Sequence, residues 1–178
     1  WVFYHFNGIF NPLRAALVCL LFSALIVVFF MDWDTQLINT YVVIFIGLLG
    51  VAEYIFCKDQ TGLTLKSHLI GFFIVSVPLL IICLITHEKA MGMGYLMAAV
   101  GLFLGMQGAL VAFLIGLITG SIGGLIQKHR SGDSVFAFGP YLSIGIAVAA
   151  LYSEQIGSWY MDFTGLNEMM NEAMLIIR

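Results

Sequence analysis

From Ala15 to Met31 the chain carries no charged side chain, and from Leu96 to Ile126 it again carries none. A continuous apolar segment of about 20 residues is enough to cross the hydrocarbon core of a bilayer. The apolar residues do not alternate with polar ones, which excludes the strands of a membrane β-barrel. The whole chain is 61% hydrophobic and 10% charged, whereas soluble domains carry about 25% charged residues. A water-soluble fold of this length could not hide so much apolar surface. The expected fold class is all-α, a polytopic membrane helix bundle with about six transmembrane helices.

The spans follow from the punctuation. Pro12 to Met31 reads as the first, opened by Pro12 in a first helical turn, where a missing N–H is harmless. Tyr41 to Phe56 is the second and His68 to Ile85 the third, with Pro78 expected to kink it. Leu96 to Ile126 is too long for one span, and a turn near Gly105-Met106-Gln107-Gly108 would divide it in two. Pro140 to Tyr152 is the last. Residues 1–152 read as a transmembrane domain and residues 153–178 as an amphipathic, Met-rich tail able to lie along the interface. Trp1 to Phe10 reads as the end of an earlier helix or an interfacial segment, and a start at Trp1 as the remainder of a longer chain. Alternating spans put Asp32, Lys89 and Lys128 to Arg130 on one membrane face, and Arg14, Lys58 and Lys66 on the other. With His129 counted, four basic residues against three place the first side in the cytoplasm.

Several features read as bland. Cys19, Cys57 and Cys83 form no CxxC pair and read as small buried hydrophobes. No metal, disulfide or cofactor is expected, and no basic cluster points to nucleic acid. His87 beside Glu88 is not a helical ligand pair. Glu53 reads first as an interfacial carboxylate paired with Lys58, and only second as an intramembrane acid. Gly101/Gly105 and Gly116/Gly120 are spaced so that helix backbones can approach closely.

Asp32 and Asp34 are different. They end the first apolar run, where a carboxylate is costly unless it is used, paired or at the membrane surface. An aspartic peptidase needs two carboxyl groups sharing one proton. One activates a water, and the other polarises the scissile carbonyl. On a continuing helix Asp34 would face away from Asp32, so a second acid should come from another loop. Met91 to Tyr95 reads as that loop.

The chain resembles the type IV prepilin peptidases, membrane aspartyl proteases of the GxGD class. The resemblance rests on Asp32-Trp33-Asp34-Thr35-Gln36-Leu37-Ile38, on Met91-Gly92-Met93-Gly94-Tyr95 with Leu96 to Gly101, and on Phe138-Gly139-Pro140-Tyr141-Leu142-Ser143-Ile144-Gly145. Gln155-Ile156 and Trp159-Tyr160 extend it. It implies that Asp32 is catalytic and that Asp34 matches a second acid of the same motif. The family's Gly-Asp-x-Lys has no counterpart between Tyr95 and Leu96, and a Pro is missing between Ile38 and Asn39. Both gaps fall in expected loops beside Asp32, and read as residues left out of this sequence.

The resemblance implies a prepilin or pseudopilin precursor as partner, with a short basic leader cut on the cytoplasmic side of a bacterial inner membrane. Larger members also methylate the new N-terminus, through an N-terminal region with paired CxxC motifs that nothing here matches. The alternatives are an inactive family member and a small helical transporter or scaffold. A transporter would gather polar groups near mid-membrane, and a peptidase would gather Asp32 and the Gly94 region at one face.

Overall fold

The computed structural model describes residues 12–61, 63–86, 91–131 and 137–163. Every regular element among them is helical: α1 (Pro12–Thr35), α2 (Thr40–Thr61), α3 (Leu65–Ile74), α4 (Ser76–Thr86), α5 (Met91–Ser131) and α6 (Gly139–Phe163). Three stretches, Pro12–Thr35, Thr40–Cys57 and Gly92–Gln127, are long and apolar enough to cross a membrane. Leu65–Ile81 and Gly139–Ser153 are shorter apolar stretches. Large apolar side chains such as Ile26, Phe30, Leu48, Phe73, Ile118 and Leu125 face outward. That surface belongs in lipid, and the chain is an all-α, multi-pass membrane bundle.

Helix ends follow local chemistry. α1 runs one turn beyond the expected Met31 and carries both aspartates. Gln36 N donates to Asp32 O at 3.0 Å, and Gln36 itself takes a left-handed φ of 55°, which stops the helix. Asn39 then opens α2, its Oδ1 accepting from Tyr41 N at 2.8 Å. α2 continues past Phe56 to Thr61. The expected third span begins earlier, at Leu65, behind an N-cap in which Thr64 accepts from Ser67 N. It is split at Val75 into α3 and α4. Pro78 explains the split, because it offers no N–H to the carbonyl of Ile74 and its ring clashes there.

α5 is the central element. Gly105 breaks it with φ 69° and ψ −174°, within the turn expected from length alone. The two limbs run in opposite directions. On the first limb, Gly92 lies against Ile38 at the end of the bundle where α1 finishes; on the second, Gly120 lies against Phe138 at that same end. Gly105 sits at the opposite end, against Leu63 and Ser67. The break leaves Leu102 O and Met106 N without their usual partners one turn away. α3 supplies both: Met106 N donates to Ser67 Oγ at 3.3 Å, and His68 Nδ1 lies 2.7 Å from Leu102 O.

Glycines let the helices meet at backbone distance. A Cβ at Gly71 would lie 2.6 Å from Gly101 O, and one at Gly101 would run into the Gly71 carbonyl. Gly116 and Gly145 make a similar approach between α5 and α6. Leu21, Ile46, Leu96, Met97, Leu142 and Ile146 fill the space between. Cys57 is buried as expected, but Cys19 faces outward. Glu53 departs from its expected interfacial place: it is 3% exposed, because α3 brings His68 onto it. α6 runs past Tyr152 to Phe163, so the start of the expected tail is helical. The segments expected at Trp1 to Phe10 and from residue 164 onward lie outside the described residues.

Gly101→Ala should destabilise the bundle by about 1–3 kcal/mol, because the obstruction is backbone that cannot move aside. Gly47→Ala is the control, since its nearest neighbour would be Ala99 Cβ at 3.9 Å. Denaturant unfolding in detergent micelles should separate the two variants.

Candidate active site

Asp32 lies in the last turn of α1 and is 1% exposed. Its Oδ2 accepts a hydrogen bond of 2.7 Å from Gly139 N, the first residue of α6. The pairing has a plain cause. The first N–H groups of a helix have no partner of their own and form its positive end. A carboxylate there makes a charge-assisted bond, the stronger kind. Pro140 follows in the first turn, buried, where its missing N–H leaves nothing unsatisfied. Leu142 N closes that turn on Phe138 O at 3.0 Å.

Gly139 must be small. A Cβ there would stand 2.6 Å from Asp32 Cγ and Oδ2. Two segments singled out in the sequence, the Asp32 motif and the Phe138-Gly139-Pro140 motif, therefore meet at one contact. Asp34 is exposed, as the helical period predicts, and points away from it.

The Met91 to Tyr95 stretch differs from expectation. It is not a loop but the opening of α5, and Tyr95 and Leu96 are successive residues of that helix. Gly92 abuts Ile38, at the Asp32 end of the bundle, while Gly94 packs on Leu80 of α4 and not on Asp32. The expected gathering at one face holds for the helix ends, but Gly139, not Gly94, is the residue in contact with Asp32. No hydrogen bond joins Asp32 to a second carboxylate among the described residues.

A cleft of about 690 Å³ opens beside the Asp32–Gly139 contact, between α1, the second limb of α5 and the start of α6. Trp33, Gln36, Thr119, Gln127 and Tyr141 line it, with Ala137 at the α6 side. Trp33 stacks on Phe29, ring centroids 6.3 Å apart. A second, apolar groove runs between α1 and α6 from Phe22 to Phe30, with Ser143 and Ala147 opposite. The mixed cleft thus lies near the buried carboxylate, and the apolar groove is a separate one along two helices.

The fold and this site define a multi-pass helical membrane protein with one buried aspartate holding two helix ends together. Residues 19–125 match the type IV leader peptidase family, and the chain belongs to that family. Similar proteins include one of Legionella pneumophila, named prepilin leader peptidase/N-methyltransferase. It is 29% identical over 169 residues, which is 90% of this chain and 57% of that protein. A Pseudomonas aeruginosa protein of the same name is 27% identical over 158 residues, 85% of this chain and 54% of its own length. One from Aeromonas salmonicida is 34% identical over 85 residues, covering 44% of this chain and 29% of that protein. The chain thus spans about half the length of the curated relatives that match it along most of its length. No solved structure matches it significantly.

Asp32→Ala and Gly139→Ala should each destabilise the bundle, by about 1–3 kcal/mol. Because both break one contact, the double variant should lose clearly less than the sum, a coupling of at least about 0.5 kcal/mol in unfolding measurements.

Proposed function

We propose that this chain carries the peptidase unit of a prepilin leader peptidase. It would act as an aspartic endopeptidase that removes a short basic leader from a prepilin or pseudopilin precursor. The observation that supports this most directly is Asp32, buried at a helix end, hydrogen-bonded to Gly139 N and flanked by the mixed cleft. Asp32 is the catalytic carboxylate of this reading. Ionised, it takes a proton from a water that attacks the scissile carbonyl and then passes that proton to the departing amine. The second carboxyl that polarises the carbonyl has to come from a group not in contact with Asp32 among the described residues. The Gly139 N–H holds the carboxylate in place and leaves its other oxygen for that work. The apolar groove between α1 and α6 receives the precursor's membrane helix, and the leader lies across the cleft beside Trp33 and Gln127. Residues 1–152 form the peptidase unit and residues 153–178 a tail along the interface. The Asp32 end faces the cytoplasm of a bacterial inner membrane, where a basic leader is retained.

A second reading rests on one observation. The sequence has no Gly-Asp-x-Lys between Tyr95 and Leu96 to supply a second carboxyl. On that reading the chain is a family member that engages precursors without cutting them.

Incubation with a prepilin precursor in detergent or lipid separates the readings. Cleavage by the native chain that falls at least about 100-fold in Asp32→Asn supports the peptidase. Cleavage that survives Asp32→Asn overturns Asp32 as the catalytic group. Binding of the precursor without cleavage selects the second reading. Asp34→Asn should keep more than about half the activity, because its side chain points away from the contact.

A further inference from the structure

The other end of the bundle holds a buried ionisable pair, distant in the fold from Asp32. Glu53 of α2 and His68 of α3 are 3% and 2% exposed. Glu53 Oε2 and His68 Nε2 face each other at 3.7 Å, and neither atom has a hydrogen-bond partner among the described residues. Buried polar atoms in membrane segments are expensive and rarely left so.

The hydrogen positions can be argued from the partners. Leu102 O can only accept, so His68 Nδ1, 2.7 Å away, carries a hydrogen. Nε2 is then either a bare lone pair or a second N–H. A bare Nε2 facing an ionised Glu53 sets two acceptors against each other in a site closed to water. One added proton, on either atom, turns that repulsion into attraction. The other groups around the pair come from three elements. From α1, Arg14 lies within electrostatic range of Glu53 and of Cys57. From α2, Tyr54 sets its ring edge-on to His68, centroids 5.3 Å apart, and Cys57 sits one turn beyond Glu53. α5 contributes the Leu102 carbonyl.

We infer that Glu53 and His68 form a proton-binding centre, separate from the Asp32 site, that holds one proton between α2 and α3. The ligand is the proton itself, shared between a carboxylate and an imidazole. His68 Nδ1 already secures the carbonyl freed by the Gly105 break. The shared proton therefore ties α2 to the same point where α3 grips the two limbs of α5.

The test is nuclear magnetic resonance of the full chain in micelles, with 15N-labelled histidine and 13C-carboxyl-labelled glutamate. The chain has four histidines, and His68 is assigned by replacing His5, His87 and His129 with Gln. In the native protein His68 Nδ1 should stay protonated, and His68 and Glu53 should titrate together with shared midpoints, as groups sharing a proton do. Glu53→Gln should change the titration behaviour of His68 and leave the other three histidines as in the native chain. A neutral His68 protonated at Nε2 overturns the inference. So does independent titration of the two groups, or a His68 midpoint unchanged in Glu53→Gln. The first two measurements use the native chain and stand even where the variant fails to fold.

Discussion

A peptide group inside a bilayer has no water to bond to, and the whole arrangement depends on how this chain meets that demand. A helix meets it without help, so the only dangerous places are breaks and ends. The break at Gly105 lies against α3, which faces the freed Leu102 carbonyl and Met106 N–H. Ser67 and His68, adjacent on α3, take both. They can do so because Gly71 and Gly101 let α3 and α5 meet at backbone distance. Break, crossing and polar cap therefore meet at one place.

The same demand appears at the opposite end of the bundle. α6 begins with an N–H that needs an acceptor, and Asp32 provides it from the end of α1. The carboxylate that would do chemistry is thus also the group that joins two helices. This fixes its position more firmly than packing alone could. It also explains why Gly139 has no side chain: the space a Cβ would take is occupied by the carboxylate. The cleft beside Trp33 and the groove along α1 and α6 lie on either side of that joint.

Much of this was legible in the residues. The apolar runs identified the spans, and the length of the run from Leu96 required a reversal near Gly105. The helical period separated Asp32 from Asp34 before any coordinates did. Three features were not legible, for physical reasons. Met91 to Tyr95 reads as a loop because it holds two glycines, yet helix packing against Ile38 and Leu80 overrides that weak local preference. Glu53 sits close enough to the end of its run to read as interfacial; only the placement of α3 closes the route to the surface. The contact between Asp32 and Gly139 joins residues far apart along the chain, and no local pattern encodes that pairing.

What the sequence determined by itself is the class of solvent and hence the class of fold. Continuous apolar runs have only one favourable environment, and that environment permits helices in this chain. It also marked the breaks near Pro78 and Gly105, where a residue acts on its own backbone, but not the helix ends, several of which lie beyond the apolar runs. The tertiary structure decided which orphaned backbone group meets which side chain. It gave Asp32 to α6, Ser67 and His68 to α5, and Glu53 to His68. Those assignments depend on how close two helices can come, which Gly71 and Gly101 set between α3 and α5 and Gly139 sets beside Asp32.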